Sequence, residues 1–480
     1  MPRRGASAGC RAGSSRSPST PRARSTSGSR SFHGSSPPPR GSELTAELRR
    51  GLGVAPLAAI VFFNVSGGPY GIEDAVPTLG PGMTLVLLVL TPLFWSLPVA
   101  LAMAELASAM PDEGGYVTWT RQAFGPYWAF QVGWWSWIDS FVDVAVYPAL
   151  FVEYLRFWLP AMTSTERWLL VVAFIVVLTG LNLLGVRPTG QAALALAVAS
   201  LLPVAALTVF ALLGSLTTPW VPLSPSGQGL EALGLGLAVL MWNYSGWDTP
   251  STVLGETRAP ERAFRSAIFL TLPVLTAAYL LPVGAALASG ALEWSQWTTG
   301  ALPAIGRSVG GEWLGHAVTA GAVLGTAGLF MSLLLTNSRL PYVLARDRAM
   351  PAWLGVVDQR FGTPWTAVVV SAAFYAAFAA FSFKELVVLD VWLYSLSLVV
   401  ELAAFVRLRV TAPDMPRPWR VPGGFAGALG VAVFPLLFCV GAMATAGRLN
   451  TIAGVGAALT GPLAYRLLGR RARLAGEGRA

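Results

Sequence analysis

Ser66-Gly67-Gly68-Pro69-Tyr70-Gly71-Ile72-Glu73-Asp74 and Asn243-Tyr244-Ser245-Gly246-Trp247-Asp248 are two polar stretches set inside apolar runs. Each run is long enough to cross a bilayer, and each stretch carries carboxylates at a depth where hydrocarbon penalises them. Irregular backbone at that depth is tolerated only where it is buried in protein or lines a water-filled cavity. Two such interruptions, one early and one about five spans later, point to a solute site near the membrane midplane of a secondary transporter.

Working outward, the composition fits a chain dissolved in lipid. Hydrophobic residues make up 54% and charged residues 12%, with a mean hydropathy of +0.58. Soluble domains carry about twice that charged share. The implied fold class is an all-α polytopic membrane protein with about twelve transmembrane helices. Apolar runs place them at 51–79, 83–104, 126–156, 167–186, 189–213, 230–256, 265–290, 313–338, 364–383, 386–406, 425–445 and 449–468. Breaks in the first and sixth spans imply two inverted repeats of five helices, five plus five, within a core over 50–406. Two additional transmembrane helices follow within 407–468, then a basic tail over 469–480.

The net charge of +9 would suit a nucleic-acid partner only if it were clustered on a face, and it is not. Setting aside the basic N-terminal segment, 18 basic residues fall in connections on one side of the spans and five on the other. That asymmetry places both termini in the cytoplasm. Residues 1–45 are rich in Arg, Ser and Pro, and residues 1–42 lack any acid. Such a segment cannot bury enough apolar area to order itself. It reads as a dispensable tail or an upstream start, with organelle targeting as the less favoured alternative. One lysine against 32 arginines suggests a GC-rich bacterial source and a cell-membrane location.

Cofactor chemistry finds no support. Cys10 and Cys439 lie in the tail and in an apolar span, while His33 and His316 are isolated. No metal cluster, disulfide framework or Ser-His-Asp set can be assembled from them, so an enzyme is not expected. A non-transporting receptor would want a soluble domain, and neither tail has the apolar content for one.

The breaks themselves carry the chemistry. Ser66-Gly67-Gly68-Pro69 releases the helix, and Pro suits the first turn of a resumed one. A half-helix from Tyr70 would offer its N-terminal amides to an anionic group. A Gly-Pro kink that only shapes packing is the plainer reading, but it would not require Glu73 and Asp74. In the second break, Asn243 and Gly246 accommodate non-helical dihedrals, Tyr244 and Trp247 offer aromatic faces, and Asp248 offers a charge. Asp248 reads as a solute or proton contact, or as an N-cap of the resumed helix. Span three carries Asp139 and Asp143 one turn apart, then Tyr147, on one stripe. Asp143 is the stronger candidate of the two. Glu105, ending span two, reads as a cap or gate. Several carboxylates with an aromatic lining favour a cationic amine.

These motifs resemble the amino acid–polyamine–organocation transporter superfamily, above all its L-type and plant or protozoan polyamine-uptake branch. There the first span reads Gly-Gly-Pro-x-Gly-x-Glu, matched here by Gly67 to Glu73. The likeness continues through Trp95-Ser96-Leu97-Pro98, Ala104-Glu105-Leu106, Gly114-Gly115-Tyr116-Val117-Thr118-Trp119, Asp143 with Tyr147-Pro148, and Trp247-Asp248 with Gly255-Glu256. The resemblance implies the five-plus-five inverted-repeat fold, alternating access and proton-coupled uptake of polyamines or amino acids. It implies that Ser66, Gly67 and Gly68 meet the substrate head group, with Asn243, Trp247, Asp248 and Tyr147 opposite. Some bacterial relatives carry a lysine in the fifth span. Here that span offers Thr189, Gln191 and Ser200 instead, so proton coupling falls to carboxylates: Glu73, Asp74 or Asp248. Sodium coupling through Ser332 or Thr336 stays open. The alternative substrate class is neutral or broad-range amino acids. No disulfide-linked ancillary subunit is expected, because no outward loop contains a cysteine.

Overall fold

The first break falls where the glycines place it. In the computed structural model, which describes residues 48–214, 216–225, 230–380 and 383–477, α1 (Val54–Val65) stops at an extended Ser66. The tail expected over 1–45 lies outside the described residues. Helix does not resume at Tyr70. Turns run on to Asp74, and α2 (Ala75–Leu79) is a single short piece. The reason is local: Gly71 has φ +88°, a left-handed conformation that no helical residue shares. Its amide is also taken, donating to Glu73 Oε2 at 2.7 Å.

The chain then builds α3 (Pro81–Thr91), which passes through a π turn at Pro92–Ser96 into α4 (Leu97–Ala109). Next come α5 (Tyr116–Phe124), α6 (Pro126–Leu155), α7 (Ser164–Leu183) and α8 (Val186–Leu213). Thr163 and Glu166 start α7 with a reciprocal capping box, satisfying donors that the helix N-terminus leaves open. The second break lies between α9 (Leu230–Asn243) and a 3-10 stretch at Thr249–Glu256. After it follow α10 (Pro260–Ser289), α11 (Ala301–Gly310), α12 (Glu312–Asn337), α13 (Arg339–Arg346) and α14 (Trp365–Phe378). The chain ends on α15 (Phe383–Thr411), α16 (Gly424–Thr445) and α17 (Gly447–Glu477), the last running past the expected span end at 468.

Among the described residues there is no strand, only one bridge between Leu52 and Thr257. Among the described residues, six helical stretches are long and apolar enough to cross a membrane. α6 and α15 are as long but carry internal carboxylates, which is where the site forms. α1 packs on α10 and α8, α12 packs on α8 and α6, and α15 packs on α6 and α16. The outward faces of α7, α8 and α16 expose residues such as Val176, Leu202 and Leu437, the surface that lipid covers.

The two breaks touch. Gly246 has φ +92°, and a side chain there would collide with the Asn64 carbonyl at the end of α1. Flanking segments reinforce this contact: Gly51 N–H donates to Glu256 O at 2.8 Å and Arg258 N–H to Leu52 O at 2.9 Å. Two buried ion pairs tie the helices further. Arg339 grips Glu256 with both sides of its guanidinium, at 2.8 and 3.2 Å. Arg409 holds Glu105, which also meets Arg417 at 3.2 Å and accepts from Val421 N–H. Glu105 is therefore a tether between the end of α4 and the basic segment after α15.

Candidate functional site

A small enclosed cavity of about 40 Å³ lies at the meeting of α6, α15 and the second break. Its wall includes Asp139, Asp143, Asp248 and Asp390, and none of its lining residues is Arg, Lys or His. Each carboxylate is placed by its helix. Asp143 Oδ1 accepts from the Tyr147 hydroxyl at 3.1 Å and from the Trp242 indole N–H at 3.3 Å. The rings of Tyr147 and Trp242 stack beside it, with centroids 6.0 Å apart at 18°. Asp248 Oδ1 accepts from the Tyr394 hydroxyl at 2.6 Å, and the same hydroxyl accepts from Gly246 N–H at 3.0 Å. Asp248 makes no side-chain cap to the stretch that follows it, so the capping role is not the one it takes.

Asp139 of α6 and Asp390 of α15 both line this cavity. Carboxyls gathered in one dry cavity share protons more readily than they all stay ionised. Such a wall can neutralise a cation by ion pairing, face it with aromatic rings, and exchange a proton for it.

Of the residues singled out in the sequence, Asp139, Asp143, Tyr147, Gly246 and Asp248 reach the cavity. The others stand behind it. Ser66 Oγ accepts from Gly68 N–H at 3.0 Å, and Gly67 is pressed against Leu329 and Gly325 of α12. The Tyr70 hydroxyl donates to Ser200 O at 3.3 Å. Glu73 is pinned by the Tyr154 hydroxyl (2.7 Å) and by the amides of Gly71 and Gly300. Asp74 accepts from the Thr299 hydroxyl. Asn243 donates to Val239 O at 2.8 Å and accepts from Tyr279. Tyr244 donates to Leu88 O, and the buried Trp247 indole to Tyr244 O. Ser332 and Thr336 lie on α12, where Thr336 donates to Asn64 Oδ1 at 2.7 Å.

Asp390 and Tyr394 were missed, although a signal was there to read. They repeat, in the tenth span, the Asp-x-x-x-Tyr spacing of Asp143 and Tyr147 in the third. A larger groove of about 1010 Å³ is walled by Leu85, Val86, Trp220 and Leu281 without a charged group. Its place on the lipid side suits acyl chains rather than a polar solute.

Helices of membrane length, interrupted where carboxylates gather around an interior cavity, define a multi-pass membrane transporter rather than an enzyme. The family model for amino acid permeases matches residues 54–459, and the chain belongs to that family. The polyamine transporter RMV1 of Arabidopsis thaliana is 35% identical over 383 residues, 80% of this chain and 78% of the relative. The polyamine transporter PUT1 of Oryza sativa subsp. japonica is also 35% identical, over 80% and 72%. The branched-chain amino acid permease BcaP of Bacillus subtilis (strain 168) is 26% identical over 82% and 87%.

Proposed function

We propose that the protein imports cationic amines, polyamines first and basic amino acids next, by alternating access driven by the proton gradient. The observation that carries this reading is the cavity wall: four aspartates with no cation among the lining residues. A polyamine offers ammonium groups to such a wall and asks for no anion-binding group. A zwitterionic amino acid would need donors for its carboxylate, and the amides of Gly68 and Gly71 are already engaged. The names of the two plant relatives agree with the amine reading. The bacillar relative keeps a neutral or broad amino acid permease as the alternative.

The proposed frame is about twelve spans in a five-plus-five arrangement, with both termini cytoplasmic. A volume of about 40 Å³ exceeds one water's share of about 30 Å³ only slightly. Solute must therefore enter and leave by movement of the helices around the breaks. Asp248 is the proposed proton-coupling carboxylate, because it lines the cavity and Tyr394 ties it to α15. Glu73 and Asp74 are held by Tyr154, Gly300 and Thr299, which suits a latch better than a proton carrier.

Purified protein in liposomes with an inward proton gradient should accumulate labelled putrescine or spermidine. A sodium gradient in place of the proton gradient should not support it. Asp248→Asn should lower amine uptake at least about tenfold, the scale of a lost charge-assisted contact in a dry site. Exchange of neutral amino acids without any amine uptake would replace this reading by the alternative.

A further inference from the structure

The α15 face that supplies Asp390 and Tyr394 to the cavity does not end there. Asp390, Tyr394, Ser397 and Glu401 recur at intervals of four, three and four residues, so they lie on one face of the helix. The stripe is about 16 Å long at about 1.5 Å per residue. Its first members belong to the solute site, where both line the cavity and Tyr394 donates to Asp248. Its last member does not. Glu401 is 1% exposed, and neither carboxyl oxygen has a hydrogen-bond partner among the described residues. The Ser397 hydroxyl between Tyr394 and Glu401 is also buried and without a partner among them. Arg409, two turns further along, is committed to Glu105.

An ionised carboxylate with neither counter-charge nor donors is among the costliest groups to bury, and more so in a membrane. An apolar residue of similar size would serve packing better. The form such a site accommodates is the neutral acid, and a neutral acid there is a bound proton. Several titratable groups act on it. They are Tyr116 of α5, Tyr394 of its own helix, Cys439 of α16 and Asp248 of the break. From α6, Asp139 and Asp143 face the cavity end of the stripe, and from α4 Glu105 is paired with Arg409 and Arg417.

We propose that Glu401 is a proton-binding site of the transport cycle, exchanging its proton with Asp248 along the α15 face through Ser397 and Tyr394. The proton leaves one carboxyl as the other carboxylate takes it up, and no other bond changes. This rests on the proton-coupled reading given above.

The test uses the full chain in liposomes, with Glu401→Gln and Glu401→Met beside the parent. Putrescine counterflow, which needs solute binding but no net proton movement, should stay within about threefold in both variants. Accumulation under a gradient of about one pH unit, up to about tenfold per coupled proton, should fall to simple equilibration. Parent-like accumulation in both variants, or loss of counterflow in both, overturns the proposal. An infrared arm decides the point independently of the solute. At neutral pH the parent should show the carbonyl stretch of a protonated, unbonded carboxyl that either variant lacks, and its absence from the parent also overturns the proposal. A parent that moves no putrescine at all would sink the amine reading, while the infrared band would still settle Glu401.

Discussion

At the scale of single residues, the cavity presents two aspartate–tyrosine pairs one helical turn deep, Asp143 with Tyr147 and Asp390 with Tyr394. Asp143 is dressed by two donors, whereas Asp390 shares the cavity wall with Asp139, whose Oδ1 has no partner among the described residues. The two ends should therefore take two ammonium groups of one diamine. Asp390→Asn should weaken putrescine at least about tenfold, from the roughly 1.5–3 kcal/mol of one charged hydrogen bond. A monovalent amine of equal length should lose much less. Titration of both amines against the parent and the variant checks this, and equal losses would argue against a divided cavity. Asp143 and Asp248 were legible in the sequence because an acid in an apolar run stands out. Glu73 stood out for the same reason, yet its partners Tyr154 and Gly300 lie 81 and 227 residues away. Distant side chains decide whether a buried acid faces a cavity or a clamp, and a motif does not carry that information.

At the scale of elements, break positions were readable because glycine and proline act locally, but the length of the first break was not. Gly71 and the Glu73 side chain together delay α2 to Ala75, so the expected half-helix with free amides is absent from the described segment. The same interplay of loop and broken helix recurs where the loop between α4 and α5 meets the second break. Glu113 lies against Gly255, and neither of its carboxyl oxygens has a hydrogen-bond partner among the described residues. Burial holds this carboxyl well above the usual range, with the charge of Glu256 adding to the effect and Arg339 and Arg346 opposing it. The folded protein thus takes up this proton at a higher pH than the unfolded chain does. Its contribution favours the fold in acid and is lost as pH rises from the ordinary value of about 4.3 through the raised one. Glu113→Gln should therefore raise the Tm by about 2 °C or more at pH 8 and leave it unchanged near pH 4. Melting curves of the two proteins that superimpose at both pH values would contradict it.

At the scale of the whole molecule, the arginines do two jobs that a count along the chain does not separate. Arg339 and Arg409 are buried in ion pairs with Glu256 and Glu105, so they hold helices together whichever way the chain is inserted. Arg348 and Arg360 are exposed and are free to act through the membrane's positive-inside preference. Removing the two buried residues from the comparison leaves the asymmetry strong, so the proposed orientation keeps its basis in the exposed arginines. It makes a geometric demand. Trp313, in the first turn of α12, is exposed, and the proposed orientation puts it on the side with few basic residues and the exposed Arg360 on the side with many. A cysteine placed at either position, with Cys10 and Cys439 replaced by serine, reports the side directly. In right-side-out vesicles a membrane-impermeant maleimide should label the cysteine at 313 at once and the one at 360 only after permeabilisation. The reverse pattern would invert the protein in the membrane. Glu401, on the Arg409 side of the cavity along α15, would then exchange its proton with the outer solution, which would reverse the order of the proposed proton steps while the gradient still set the direction of net transport.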